Sequence, residues 1–502
     1  MSNPAWFTPV GVVTVGTGTG ASNGQYNASD YGGDFGAALS AAVNTCRYVM
    51  VLPGLYTQSS VPTIAGDDIQ IEGKGSPKIT LTSTASTRAA TITGSRVKIS
   101  GLWYTSATFV ASSTFFNVTG NECSFDDNYW TCSATDGSNS TPMWYVTMGT
   151  TSQGVWNPRI TRNRFHSAKG VGFAHVAGSP DSGTTTGSGL VFAGNHLGVD
   201  GTTTPEKFYC GLWMDSAGEC VVTGNRAHGL GDGTDKGYSL YLFTTSDAQS
   251  EAQHCTFTGN SNELITSQHV FRGDGCRFLV MTGNQFGRMG GNGASEGTIH
   301  LTDNTGTGTD GGDINISANN FHNASTSAGR TIWIEDVDTV VIDNNTFSLC
   351  NGTQITVSTS AINVSIGPNR YKMASGTTNM IQLVASAYTG LWIYEPAIPS
   401  GCTLTSAQPL SGAVINGIVF GNDSPALDKN PGLRQFKCVG ATNTNTFNVS
   451  GITTGDTLVS VVDITNKTVR ANAGFTVGAG VITNGTGVDL SAATLIVTWY
   501  DA

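Results

Sequence analysis

The sequence predicts an all-β fold: a right-handed parallel β-helix (a solenoid) with a short N-terminal capping helix and a C-terminal β-sandwich-like domain. Three observations predict it: a composition hostile to long helices, a strand-and-asparagine pattern that recurs along the chain, and a change of pattern near residue 400. Among 502 residues, 65 are Gly and only 12% are charged. Ser, Thr and Asn fill much of the remainder, and with Gly they favour turns or strands over helix interiors. A hydrophobic content of 38% still supports a buried core, so the composition does not read as disordered.

The recurring pattern is an Asn with apolar residues three and five positions before it, and often an apolar residue two after. It is read at Asn121, Asn163, Asn195, Asn225, Asn260, Asn284, Asn319, Asn345 and Asn369, at intervals of 24 to 42 residues. Leu279, Met281, Asn284 and Phe286 show it in full; Pro158 weakens the second row, and Asn262 breaks the last position of the fifth. Apolar residues at period two mark a strand with one face inward. The Asn then marks a bend, where it tolerates left-handed dihedrals and bonds its neighbours. A coil of short strands that returns to the same place each turn buries, by stacking, faces that no single turn could bury. Ile69/Ile71 and Val97/Ile99 extend the column towards the N-terminus without the Asn. A propeller blade needs about four strands in some 40 to 50 residues, more than the shortest interval holds.

At the start of the coil, Asp34 is placed to cap a helix over Phe35–Val43, with apolar residues at helical spacing. A strand over Tyr48–Leu52 and a Pro53-Gly54 turn follow. An open solenoid end exposes core and strand edge, and this helix is positioned to cover both. Residues 397–429 read as a linker. Beyond it, Phe447/Val449, Leu458–Val462, Phe475/Val477 and Leu495–Trp499 alternate as short strands. The expected organisation is therefore an N-terminal segment over 1–33, a coil over 34–396, a linker over 397–429 and a C-terminal β-domain over 430–502.

The net charge of −11, with no basic run, excludes nucleic acid as a natural partner. No apolar stretch reaches the ~18 residues of a membrane span, so membrane insertion is not expected. The N-terminal Met1-Ser-Asn-Pro-Ala-Trp6 lacks a basic region followed by an apolar run, so no secretory signal is expected. The ten cysteines lack CxxC pairs and read as free, mostly buried thiols of a protein folded in cytosol. The histidines lack metal-ligand spacing, and no metal or cofactor is expected. Gly16-Thr-Gly-Thr-Gly20 has no following Lys-Ser/Thr and reads as a loop.

The stretch GGDFGAALSAAVNTCRYVMVLPGLYT, followed by DDIQIEGKG, resembles the opening of pectate-lyase-like β-helix proteins, above all phage tailspikes. The resemblance covers about residues 33 to 395. GDTLVSVVDIT and the final ATLIVTWYDA are similar to the small C-terminal β-domains of trimeric phage tail proteins, with an accessory carbohydrate-binding sandwich as the alternative. The resemblance implies a virion tail protein, a homotrimer, docked through another phage tail protein and acting at a bacterial surface polysaccharide. The RxPxxR pattern of a pectate lyase is missing, which counts against calcium-dependent pectin cleavage.

The strand preceding each Asn strand carries the candidate chemistry. Leu212-Trp-Met-Asp215, Leu240-Tyr-Leu-Phe243, Ile299-His-Leu-Thr302 and Ile332-Trp-Ile-Glu335 align, and first and third positions facing the core would send the second and fourth to solvent. The outward column then reads Trp213, Tyr241, His300, Trp333, with Asp215 and Glu335 beside it. The turn His269–Asp274 has an ambiguous register and contributes Arg272 and Asp274, because Arg272 does not suit a core position. Aromatic faces suit sugar rings, and carboxylates and Arg suit hydroxyls. Neighbouring turns, about 4.8 Å apart, bring such groups to one ligand. Glu335 is the expected general acid, its pKa raised if Trp333 shields it, with Asp303 as base and Asp274 as its substitute. Trp213, Asp215, Tyr241, Arg272, His300 and Trp333 are the expected substrate contacts; Asp215 is expected about three turns from Glu335, too far to pair with it. Outward aromatics in a trimer interface are the structural alternative. Three function classes stay open: a depolymerase acting by glycoside hydrolysis, a non-enzymatic receptor-binding protein, and a polysaccharide lyase.

Overall fold

The computed structural model describes residues 12–500 apart from 19–23, 134–139, 151–153, 167–168, 178–188, 199–206, 217, 232–236, 245–251, 289–296, 303–311, 325–328, 359–360, 373–377, 385–386, 395–401, 407–410, 416–417, 420–432 and 450. Each turn of the coil lays one short strand on each of three faces. In one turn these are Val221–Thr223, Arg226–Leu230 and Gly237–Thr244. Every strand pairs in parallel with its equivalent one turn on: Val222 with Phe257, Ala227 with Asn262, Tyr241 with Phe271. The third face runs from Thr63–Ile64 to Cys402–Ser406.

The inward side chains of all three faces merge into one core. The aromatic two positions after the Asn does re-enter it: Phe286, Phe321, Phe347 and Tyr371 stack in a file, with centroids 5.0, 5.0 and 5.2 Å apart and rings within 8° of parallel. One residue per turn thereby buries an aromatic against its own kind.

The Asn column lies at the corner between first and second faces, and its bonding is regular. Asn284 Nδ2 donates to the Phe257 carbonyl, one turn back, at 2.8 Å and to Asn319 Oδ1, one turn on, at 2.9 Å. The same Oδ1 also accepts the Asn284 backbone N–H. These links run unbroken from Asn128 through Asn163, Asn195, Asn225, Asn260, Asn284, Asn319 and Asn345 to Asn369. Two expectations are corrected. The series opens at Asn128, preceded by Cys123 and Phe125 and followed by Trp130; Phe116 and Val118 belong to the third face, and Asn121 accepts a loop N–H from Trp156. The left-handed residue is the one before the Asn: Gly194, Gly224, Gly259 and Gly283, but also Asp127, Arg162, Ala318 and Asn344, all have φ between +53° and +66°. That residue takes the bend, and the Asn side chain is freed to turn inward. This is where Gly is favoured, since it reaches that φ without a Cβ penalty.

The coil exceeds its expected bounds at both ends. Val12–Gly16 pairs with Tyr48–Val51, and Ser411–Ile415 pairs with Ala387–Ile393, so first-face pairing reaches into both the N-terminal segment and the linker. The helix α1 spans Phe35–Val43; Asp34 caps it by accepting the Gly36 N–H at 3.0 Å and ties it to the coil by accepting the Ser59 and Ser60 N–H groups. The C-terminal domain has a separate core around Phe447, Val461, Ile482, Leu495, Val497 and Trp499. Two antiparallel sheets form it, one of Leu433–Val439, Thr457–Asp463, Thr468–Arg470 and Thr494–Tyr500, the other of Thr446–Asn448, Phe475–Gly478 and Val481–Asn484.

Among the described residues no helix is long and apolar enough to cross a membrane, and no cluster of three or more His, Cys, Asp or Glu is placed to hold a metal. The described cysteines are free thiols, most of them buried.

Candidate functional site

The outward side of the third face is where the side chains stop resembling one another. Strand pairing fixes one column as His175, Trp213, Leu242, Arg272, His300, Trp333 and Thr356. Two residues along each strand runs a second column, Asp215, Thr244, Asp274 and Thr302. Glu335 continues it, because the preceding residue, Ile334, pairs with Leu301. Acids therefore alternate with hydroxyls, and successive acids lie two turns apart, about 9.5 Å along the coil. Asp215 and Glu335 are four turns apart, about 19 Å, rather than the three expected.

Trp213, Asp215, Arg272, Asp274, His300, Trp333 and Glu335 all take the outward positions expected of them. Tyr241 does not. It is fully buried and packs edge-on against Phe257, while Leu242 takes the outward place. Leu240-Tyr-Leu-Phe243 is apolar at four successive positions, so its own residues cannot set its parity; the neighbouring strands do. Asp303 lies outside the described residues, and Thr302 holds the column position on that turn.

Around Trp333 the groups interlock. His300 stacks flat on the indole, 3.9 Å between centroids and 7° between planes, and its Nε2 lies 3.1 Å from Glu335 Oε2. The indole Nε1 donates to Ser358 Oγ at 2.9 Å, and the Arg330 guanidinium lies over the ring, 4.1 Å from its centroid. Arg272 Nε donates to Asp274 Oδ1 at 2.9 Å one turn behind His300. The hydrogen bond from His300 holds the Glu335 carboxyl below the usual carboxylate range; burial opposes this, and the charges of His300, Arg330 and Arg272 assist it. The shift therefore runs opposite to the raised pKa expected from shielding by Trp333. That shielding opposes the lowering, and the hydrogen bond to His300 outweighs it.

A second group sits towards the N-terminal end. His175 stacks on Trp213 at 4.5 Å, and Trp144 lies 5.2 Å from His175 and 6.0 Å from Trp213. A Cβ at Gly172 would come within 2.3 Å of the Trp144 ring, so only glycine lets that indole lie down on the sheet. Trp144, Cys210 and Leu242 make a small apolar cluster separate from the core, with Tyr209 and Trp213 against it. Burial pushes the Asp215 carboxyl above the usual range, and hydrogen bonds from Ser216 and Thr244 partly offset this. His175, Trp144 and Arg330 were not foreseen. His175 had a signal, since Phe173-Ala-His-Val176 is an alternating strand one turn before Trp213; Arg330 had none, standing at a strand entrance.

No family model matches the chain, and no curated protein does. Solved structures similar to it include a tailspike protein mutant of the E. coli bacteriophage HK620 in complex with a pentasaccharide, at 11% identity and a TM-score of 0.44, covering 93% of this chain and 90% of that one. Tailspike protein 3 of bacteriophage CBA120 is similar at 12% identity and a TM-score of 0.47, over 92% of this chain and 69% of the other. PfbA, a surface adhesin of Streptococcus pneumoniae, is similar at 11% identity and a TM-score of 0.46, over 71% and 92%. Likeness at this depth says nothing of chemistry, which rests on the chain's own side chains.

Proposed function

We propose that this chain is a tailspike-type virion protein that binds a bacterial surface polysaccharide along the third face and cleaves it by hydrolysis. The carrying observation is the cluster of Trp333, His300 and Glu335 with the Arg272–Asp274 pair, set outward on consecutive turns. A sugar ring packs against the outward surface of such aromatics, and the adjoining column supplies carboxylates to its hydroxyls and scissile oxygen. Asp274 and Glu335, two turns apart, match the upper end of the ~6.5–9.5 Å separation of inverting glycosidases. In this reading Glu335, held ionised, takes a proton from the attacking water. Asp274, paired with Arg272, is the acid for the leaving oxygen only in the molecules in which it carries a proton. Asp303 is the alternative acid, and the anomeric outcome separates them, since a partner on the adjacent turn favours the ~5–5.5 Å separation of retention.

The test is cleavage of capsule or lipopolysaccharide followed by viscosity and by the anomer first released. Glu335→Gln and Asp274→Asn should each lower turnover by about two to four orders of magnitude while intact polymer still binds. Near-normal turnover in both moves the chemistry elsewhere. A lyase is the second reading, favoured by one observation: His300 is bonded to Glu335 through Nε2, while its Nδ1 is buried without a partner among the described residues. A neutral imidazole so arranged is a base for the proton beside a uronate where substrate gains access to Nδ1, and unsaturated, ultraviolet-absorbing products would identify it.

The same reading makes the chain a homotrimer carried on another tail protein, with the C-terminal domain holding the copies together. Deleting residues 430–502 should then yield a monomer by light scattering; a truncated chain that stays trimeric overturns that role for the domain.

A further inference from the structure

We infer that the third-face site takes an acidic polysaccharide, and that Arg330 is the residue that reads the negative charge on the sugar. This rests on the glycan-binding reading above and narrows its substrate class.

Arg330 opens the strand Arg330–Ile334, and its guanidinium lies over the Trp333 ring. A guanidinium carries five N–H donors in a planar fork. Here the half-buried side chain makes no hydrogen bond to a described residue, and its Nη1 is shielded from solvent. The described carboxylates nearby are committed elsewhere, Asp274 to Arg272 and Glu335 to His300, and none forms an ion pair with Arg330. Stacking on an indole fixes the fork in place without using any of its donors. A buried guanidinium nitrogen without an acceptor is costly, and such a group in a native protein calls for a partner. The partner that fits a planar fork is a planar two-oxygen acceptor, a carboxylate, bound bidentately.

The position identifies whose carboxylate it is. Trp333 is half-buried and outward, with His300 stacked flat on its ring and Arg330 over it, so a sugar packed against the outer edge of the indole would bring a substituent of the same ring, or of the next, alongside Arg330. Arg272 lies two turns back in the Trp333 column and is a second cation facing the same polymer. Neutral hydroxyls alone would leave the fork half used. A uronic acid or a pyruvate ketal supplies the shared chemistry, a sugar-borne carboxylate.

The test uses an array of bacterial capsular and lipopolysaccharide glycans, each acidic member printed in native and carboxyl-reduced form, probed with the full-length protein. Wild type should bind acidic glycans and lose at least tenfold in affinity when the carboxylates are reduced to alcohols. Arg330→Gln should bind the native and reduced forms alike, and Arg330→Lys, which keeps the charge and loses the fork, should fall between. A melting curve shows that each variant is folded. A wild-type protein that binds only neutral glycans, or is indifferent to carboxyl reduction, overturns the acidic assignment and leaves the glycan-binding reading standing. Binding to no glycan on the array overturns both.

Discussion

The corner between the first two faces and the outside of the third are both built from one residue per turn, and they spend their polar groups in opposite ways. At the corner every turn contributes the same residue, and each amide is used up: Asn260, Asn284 and Asn319 each donate backward to a carbonyl and forward to the next Asn, at 2.9–3.0 Å for the forward link and 2.8–3.0 Å for the backward one. On the third face each turn contributes something different, and polar atoms are left over: His175 Nε2, 4.0 Å from Asp215 Oδ2, His300 Nδ1 and Arg330 Nη1 are buried without hydrogen bonds among the described residues. A satisfied column makes the turns register with one another. An unsatisfied one adds nothing to that register and costs free energy until a further group meets it. The difference separates stability from recognition within a single repeat.

The strongest break of that separation would be a double dissociation. Glu335→Gln should abolish cleavage and leave the melting temperature within about a degree, since its carboxyl is partly exposed and bonded to a single side chain. Asn284→Ala should do the reverse. It strands the Phe257 carbonyl and the two Asn260 donors that Asn284 Oδ1 accepts, at roughly 1–3 kcal/mol per stranded group, and leaves Asn319 Oδ1 only the backbone N–H, so the melting temperature should drop well below wild type while the folded fraction still cleaves. Asn128 opens the run and accepts the Leu102 N–H where each later Asn accepts two groups of the Asn before it, so Asn128→Ala should cost less than Asn284→Ala. Equal losses at both positions would mean that the amides act singly, with no added strength from the chain of bonds.

The two regions also differed in how far the sequence disclosed them. The Asn corner was legible because one residue type at one position cannot be produced by anything but a repeated bend. The departures there are local: Phe116/Val118 before Asn121 imitate the apolar pair although the column starts at Asn128, and the left-handed residue stands one position before the Asn. The outward columns were legible only where strands alternate cleanly. Trp213, His300 and Trp333 sit in alternating segments and fell on the correct side, whereas Tyr241 sits in an unbroken apolar run and fell on the wrong one. Arg330 and the direction of the Glu335 shift were out of reach, because both depend on which side chains from other turns approach, and turn lengths vary between 24 and 35 residues.

Acid should loosen the third face before the corner, and this is the subtlest way to sharpen the contrast. Burial holds His175 down to about 4 and His269 to about 3, the latter helped by the charge of His300 and opposed by its bond to the Gly297 carbonyl; both start from 6.5. A histidine kept neutral in the fold but protonated in the unfolded chain contributes stability fully above pH 6.5. That contribution is lost as pH falls through the interval to about 4 for His175 and about 3 for His269. Glu335 enters later, since its lowered pKa keeps its contribution until the pH falls below the ordinary carboxylate value of 4.5. Between pH 6.5 and 4.5, therefore, the two histidines act ahead of that carboxylate, and the amides of the Asn column do not titrate at all. Melting temperature should fall across that interval in wild type and fall less in His175→Gln and His269→Gln. Trp213, stacked 4.5 Å from His175, provides a local fluorescence signal that should change before the global transition. A pH dependence identical in wild type and both variants would show that these histidines are not what acid attacks first, and would leave the third face no softer than the corner.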